Sequence, residues 1–454
     1  MQFLKVIAGL YLVAIGFFAW GVASSAYGIF PWEILKPLIE EFNAYIAGGE
    51  VEETTFVEKV ANDLGLRPNR IIVPRRPNPD RAYLPLRVPD SRDRRAPASM
   101  FAGEGRQPGG YLFILGAFDF NAHLHEAILL NEANEIVHQW VGSEAEVTRL
   151  LAERAGKAKD WTNRFPHGVE ILEDGSVIYN NGDAGDAILK ISWCGEPLFT
   201  VIGNFHHVVQ RQIEDNSVWA FEGQTLTKLR ADTGEIVRQF TSQDIADANP
   251  GIDVLSIKRD LEEGVWLADY RHENDIEPLP AAYASAFPRF EAGDLLISMR
   301  ELNLILVADP EDLRIKWWRA GQTRRQHDPD WQPDGTITVF DNNRRDAVWE
   351  RDANRYSRIV RINPTTYEAE VLYDGALDNF YTPIRGTHQV LPNGNILITS
   401  PQQGRVLEVT PDGRTVFDFL NSYDERGSLQ VSDAKWLPAD FFDFNAEGAN
   451  RCGS

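Results

Sequence analysis

The chain has 454 residues, 43% hydrophobic, 25% charged and 11% aromatic, with two cysteines and a formal charge of −22 at pH 7. This composition buries a large core and excludes a disordered, collagen-like or disulfide-stapled chain, as well as any cysteine-rich zinc or iron–sulfur site. The acidic excess repels phosphate backbones, so nucleic acid is not an expected partner and an anionic substrate needs a local basic pocket.

Residues 6–32 carry no charged side chain and are long enough to cross a hydrocarbon core of about 30 Å as a helix. Lys5 precedes them and Glu33, Glu40 and Glu41 follow. The positive-inside bias then leaves the N-terminus cytoplasmic and the rest of the chain on the extracytoplasmic, periplasmic side. We read residues 1–32 as a retained, single-pass transmembrane signal-anchor; the alternative is a cleaved signal peptide, with Ser24 and Ala26 at cleavage-like spacing. Ile34, Leu38, Phe42 and Ile46 recur at helical spacing, predicting a juxtamembrane helical stalk over 33–73 that would support a homodimer. Residues 74–109 are rich in Pro, Arg and Gly without apolar periodicity and read as an extended connector, ending at a domain boundary near Gly110.

From residue 110 to 454, short alternating strands follow one another across Asp-Gly or Asn-Gly turns, an all-β pattern. Four segments align, beginning at His167, His206, His327 and His388: a strand, a tight turn and a second strand, followed by another hairpin. Two less regular units, one over 110–140 and one from His272, bring the count to about six four-stranded units. That period predicts a six-bladed β-propeller with a helical insertion at about 241–270. A β-sandwich would not explain a histidine recurring at one phase. In a propeller the start of each innermost strand borders the axis, so His167, His207, His272, His327 and His388 are predicted to converge on one axial pocket.

The segments FHHVVQ, HENDIEPL, DLLISMRELN with IKWW, QHDPDWQPDGTITVFDNNRR and GTHQVLPNGNILI resemble the bacterial PAPS-independent arylsulfotransferase family of six-bladed propellers, over residues 165–420. The Gln-His-Asp motif with its downstream Asp-Gly and Phe-Asp-Asn-Asn-Arg is the most specific match. The resemblance implies that His388 attacks the sulfuryl group of an aryl sulfate donor and becomes a transient sulfohistidine, without a cofactor, before a phenolic acceptor takes the group. It also implies catalytic roles for His327, His207 and Arg344, with His206 and Arg345 as competing assignments for the last two. His272, Asn274 and Arg300 match family motifs that shape and support the pocket, and the axial His167 joins this substrate-binding set. Val208 departs from the aspartate that commonly follows the His-His pair in the family.

Sulfuryl transfer accounts for these residue types. Imidazole is a competent nucleophile and proton shuttle near neutrality, and covalent catalysis divides one displacement into two. Guanidinium and imidazolium groups stabilise charge on the equatorial oxygens, for which Arg344, Arg300 and His207 are candidates. His327, with His207 as substitute, is the candidate base for a phenol. Trp331, Phe380, Tyr381 and Phe205 are candidate aromatic walls. The rival reading is a non-catalytic, membrane-tethered propeller whose imidazoles hold a ligand or a divalent ion; a quinoprotein-type dehydrogenase would need regularly repeated Trp-docking motifs. The chain carries no phosphate-binding GxxxxGK[ST] or strand-following GxGxxG motif, and Asp183 and Asp186 give only weak reason to expect calcium.

Overall fold

The computed structural model describes residues 72–74, 77–88, 97–118, 126–141, 166–180, 187–256, 271–344, 356–425, 427–447 and 452. The predicted anchor over 1–32 and all but the end of the stalk over 33–73 lie outside them. Among the described residues no helix is long and apolar enough to cross a membrane.

Three strands precede the ring: β1 (Ile72–Pro74), β2 (Leu84–Leu86) and β3 (Ala98–Ala102). Then β4 (Tyr111–Gly116), β5 (Glu126–Leu130) and β6 (Ile136–Trp140) form the outer part of blade 1. Blade 2 is β7 (Val169–Ile171), β8 (Val177–Asn180), β9 (Ala187–Ile191) and β10 (Pro197–Ile202). Blade 3 is β11 (Phe205–Gln212), β12 (Ser217–Glu222), β13 (Thr225–Arg230) and β14 (Ile236–Thr241). Blade 4 is β15 (Glu273–Pro278), β16 (Leu295–Met299), β17 (Leu304–Ala308) and β18 (Ile315–Ala320). Blade 5 is β19 (His327–Trp331), β20 (Ile337–Asp341), β21 (Arg358–Ile362) and β22 (Ala369–Asp374). Blade 6 is β23 (Thr387–Val390), β24 (Ile396–Ser400), β25 (Arg405–Val409) and β26 (Thr415–Leu420). After β27 (Gly427–Leu429), β28 (Val431–Leu437) returns to pair with β4 as the innermost strand of blade 1, closing a six-bladed ring.

Strand periodicity explains the closure. Successive side chains of a strand point to opposite faces, so a central strand fills two inter-blade sectors. Leu295, Ile297 and Met299 of β16 pack towards blade 3, while Leu296 packs towards Trp331 and Ile337 of blade 5. Six such apolar clusters occupy the six sectors. The Asp-Gly turns form as the sequence predicts. Asp174 and Asp334 each accept the backbone N–H two residues on, at 2.8 and 3.0 Å, and Gly175 and Gly335 take φ of 80° and 83°.

The stretch expected as an extended connector is laid onto the ring. β3 pairs with β26, β2 pairs with β3, and β1 pairs with β27, so blade 6 has six strands. The arginines of this stretch have a structural use: the Arg81 guanidinium reaches Asp418 at 2.7 Å and also meets Asp378, and Asp418 is held from below by buried Arg405 through two bonds of 2.8 and 2.7 Å. Of the predicted insertion, helix α1 (Ser242–Ala248), opened by a Thr241–Asp244 capping box, and a short turn over Asp253–Ser256 are described. Cys194 and Cys452 form a disulfide that fastens the C-terminal end to the β9–β10 turn across 258 residues.

Candidate active site

The innermost strands β7, β11, β15, β19, β23 and β28 each pair with the next strand of their own blade, so their side chains descend the axis in layers. The first layer holds His167, His207, His272, His327 and Arg385. Local backbone irregularity turns these side chains inward. The register slips at the start of β11 (between His206 and Val209) and of β19 (between His327 and Pro329). The bulge residues His207 and Asp328 take φ of 56° and 50°, and His272 and Arg385, just before β15 and β23, take 50° and 60°. Such conformations cost about 1–3 kcal/mol each and persist where the surroundings hold them. Blades 2 and 3 meet so closely here that a Cβ on Gly168 would lie 2.3 Å from the His207 carbonyl oxygen. Asn180 bridges them, taking the His167 N–H at 2.9 Å and donating to the His207 carbonyl at 2.6 Å.

Hydrogen bonding assigns the tautomers of neutral rings in this layer. His206 Nε2 donates to the Gly223 carbonyl at 2.7 Å, so its Nδ1 accepts from His207 Nδ1–H; His207 Nε2 then accepts from His272 Nε2–H at 3.2 Å. Burial, reinforced by His167, His206, His272 and His327, holds His207 well below the usual imidazole pKa, so it is neutral at pH 7. His327 donates from Nδ1 to Asn342 Oδ1 at 2.7 Å and accepts the Arg385 backbone N–H on Nε2 at 3.1 Å. Asn342 in turn donates to the Thr382 and Arg385 carbonyls at 2.9 and 2.7 Å, so both nitrogens of His327 serve to fix the loop that carries Arg385.

His388 does not share this layer. His167 and His327 stand seven residues before Asp174 and Asp334 of their turns, but His388 stands five before Asn393, which sets it two positions, about 7 Å, farther along the axis. Its side chain is fully buried. Nδ1–H donates to Asp328 at 2.8 Å, the His388 backbone N–H also reaches Asp328, Nε2 accepts the Thr338 hydroxyl at 2.7 Å, and Asp330 lies 3.6 Å from Nε2. Gln332 Nε2 donates to Thr338 Oγ1 at 2.8 Å, which leaves the Thr338 proton for His388.

The same second layer is acidic. Asp275 and Glu277 of β15, Asp330 of β19 and Asp433 of β28 face the axis, and burial followed by mutual repulsion holds Asp275 and Asp330 well above the usual carboxyl range; burial does the same for Glu277, against the Trp331 N–H it accepts. Asp433 is pushed up to about 6 by burial, although Lys435 and its bond with Thr387 pull it down. Lys435 pairs with Glu170 at 3.1 Å; burial works against its charge, but Glu170 and Asp433 outweigh that and keep it protonated. The histidine layer and this layer line one cavity of about 320 Å³.

The cavity brings together His167, His207, His327, His388 and Asn274; His206 and His272 flank His207. Arg300 lies on the turn Arg300–Leu302, its N–H donating to the His272 carbonyl at 3.0 Å and its guanidinium against Glu301 at 3.2 Å. Arg344 follows the turn after β20 and is half-buried. Arg345, Asp183 and Asp186 lie outside the described residues. Among the aromatics, Trp331 lines the cavity, whereas Phe205 and Phe380 belong to inter-blade cores. Sequence reasoning passed over Arg385, 1% exposed and in the cavity wall, and the whole carboxylate layer. The signal existed in HENDIEP and HDPDW, where acids at alternate positions of an innermost strand must share its axial face.

A six-bladed propeller with an axial chamber of histidines, a buried arginine and carboxylates defines the class of protein. Residues 198–422 match the model of the arylsulfotransferase (ASST) family. No protein with a curated description matches it. Among solved structures, a protein of unknown function from Bacteroides caccae is 10% identical, with 73% of this chain and 99% of that chain covered and a TM-score of 0.46. A nidogen/laminin complex is 10% identical over the same shares, at 0.41. A catalytically inactive virginiamycin B lyase from Staphylococcus aureus with quinupristin is 12% identical, covering 60% and 84%, at 0.35. Likeness at these scores carries no functional argument.

Proposed function

We propose that the chain transfers a sulfuryl group from an aryl sulfate to a phenolic or other hydroxyl acceptor through a sulfohistidine on His388, without PAPS. The observation that carries this reading is the His388–Asp328 dyad, whose Nδ1–H···carboxylate bond fixes the tautomer with an Nε2 lone pair in a cavity walled by His207, His327 and Arg385. In the first step the Thr338 hydroxyl releases Nε2, which attacks sulfur; the N–S bond forms as the S–O(aryl) bond breaks, and the phenolate leaves. The ring gains positive charge, which Asp328 stabilises. In the second step the acceptor oxygen attacks sulfur, the N–S bond breaks, and the acceptor proton passes to Nε2 of His207, neutral at pH 7, as the His272 N–H turns away from it. Arg385 supplies donors to the equatorial oxygens, and His327 holds it in position; Arg300 and Arg344 are not among the residues that line the cavity. His272, Asn274 and His167 support the pocket, and Trp331 offers an aromatic wall.

The uncharged segment over residues 6–32 supports a membrane tether with the propeller on the extracytoplasmic side, and the Cys194–Cys452 disulfide fits an oxidising compartment. The test is to mix the protein with 4-nitrophenyl sulfate, with and without phenol. Acceptor-dependent nitrophenolate release, with a sulfuryl mass increment on the His388 peptide when acceptor is omitted, is expected. Parent-rate transfer by a folded His388→Ala variant would remove His388 as the nucleophile.

A further inference from the structure

We propose that Asp328, Asp330 and His388 form a binding site for a divalent first-row metal ion, Zn2+ or Mn2+. One carboxylate oxygen from each aspartate and one imidazole nitrogen lie within 4.8 Å of one another. Donors at about 2.0–2.2 Å from one ion stand no more than about 4.4 Å apart, so these three groups close on an ion by side-chain shifts of a few tenths of an ångström, and two carboxylates with one imidazole suit such ions. The donors stand on two rigid innermost strands: Asp328 and Asp330 two apart on β19, His388 on β23 of the next blade. Carboxylates outnumber cations around them: Asp275, Glu277 and Asp433 face the same cavity as Arg385 and Lys435, and Lys435 is shared with Glu170.

A separate observation points to a ligand in the same place. Asn274 is 3% exposed and lines this cavity; its Nδ2 donates to the Gln326 carbonyl at 2.7 Å, while its Oδ1 has no hydrogen-bond partner among the described residues. A buried carboxamide oxygen with no donor is satisfied by a ligand in the cavity, and a water held by a bound cation supplies one.

An ion on Nε2 of His388 takes the lone pair that attack on sulfur requires, and an ion on Nδ1 moves the ring proton to Nε2 with the same result. This consequence, unlike the site itself, rests on the proposed nucleophilic role: ion and sulfuryl group then exclude each other, and the metal acts as an off-switch.

The test titrates the chelator-stripped full chain with Zn2+ and with Mn2+ in a calorimeter, without substrate. One equivalent is expected to bind saturably. Asp330→Asn should weaken binding at least about tenfold, whereas Asp433→Asn, which removes a carboxylate of the same cavity outside the cluster, should leave affinity within about twofold. Circular dichroism checks that each variant folds. Independently of any variant, bound ion should protect His388, and not His206, from carbethoxylation in peptide mapping. Absence of saturable binding, equal losses in both variants, or unprotected His388 would overturn the site. Metal binding with no sulfuryl transfer under any condition would retain the site and refute only the proposed function.

Discussion

Asp328→Asn separates the charge at the dyad from its geometry. Asp328 sits at φ 50°, a conformation asparagine tolerates, so the bulge survives the substitution. A single carboxylate oxygen accepts both the backbone N–H and the Nδ1–H of His388, the latter at 2.8 Å. The carboxamide oxygen must occupy that position, because the amide nitrogen would face a backbone donor. The tautomer is therefore retained and only the charge is lost. Two unit charges about 4 Å apart interact by about 4 kcal/mol at an effective dielectric of 20, and a charged acceptor exceeds a neutral one by about 1 kcal/mol. Part of this is already present in the ground state through the polarised imidazole, so the barrier for forming the cationic sulfohistidine should rise by about 3 kcal/mol. That is a fall of about a hundredfold in kcat. KM for the aryl sulfate should change little, since the interaction grows only as the ring becomes charged.

The assay is nitrophenolate release in chelator-treated buffer, so that loss of a metal ligand does not enter. Asp328→Ala, which removes the acceptor and puts a Cβ-only residue at positive φ, should fall further and lose stability. A rate for Asp328→Asn within twofold of the parent, in a folded protein, would refute the claim that Asp328 stabilises charge on His388.

Three further outcomes follow from the fold. Asp433 is held at about 6 against an ordinary 3.8, so the native state binds more protons than the unfolded chain between those values, and stability falls as pH rises through that window. Asp433→Asn should therefore stabilise the protein by up to about 3 kcal/mol at pH 7 and by nothing near pH 3, read by urea unfolding across pH; an equal gain at both would contradict the burial argument. Gly168→Ala, whose Cβ would stand 2.3 Å from backbone atoms of His207 and Val209, should cost about 3 kcal/mol or displace His207, lowering both the unfolding midpoint and the transfer rate. Reducing Cys194–Cys452, or Cys194→Ser, should destabilise by about 2–5 kcal/mol because the closed loop spans 258 residues, and unchanged thermal unfolding under reductant would show that the C-terminal fastening is inert.

The blades were legible because two local rules coincide. Asp-Gly and Asn-Gly at the turns dictate tight hairpins, and alternation such as RIVRI in β21, buried at three of five positions, assigns one apolar face to each neighbour. What these rules cannot reach is pairing between distant segments. β28 has no adjacent hairpin partner; it pairs with β4, more than three hundred residues earlier in the chain. The 74–109 stretch looks like a linker because its strands are short and its apolar residues few; Arg81 and Tyr83 bind it to Asp418, an acceptor more than three hundred residues away.

The candidate site was legible to one layer's depth. The recurrence of histidine at strand starts marks residues on the axis, but recurrence carries no depth, and bulges break the count on which depth depends. In β19 the bulge at Asp328 brings its carboxylate to His388, while Asp330, two positions on, lines the same cavity. In blade 6 the same depth is reached without that register slip, by Arg385-Gly386, where Gly386 at φ 111° lies so close to Phe340 that a Cβ would be 2.3 Å from its ring. This glycine occupies the turn-relative position that His327 fills in blade 5, which moves the blade 6 histidine into the carboxylates and leaves Arg385 among the imidazoles. The exchange distinguishes the two layers: a guanidinium among imidazoles can receive an anion, and an imidazole between two carboxylates can carry positive charge, whether that charge arises as a sulfuryl group adds to nitrogen or arrives as a metal ion.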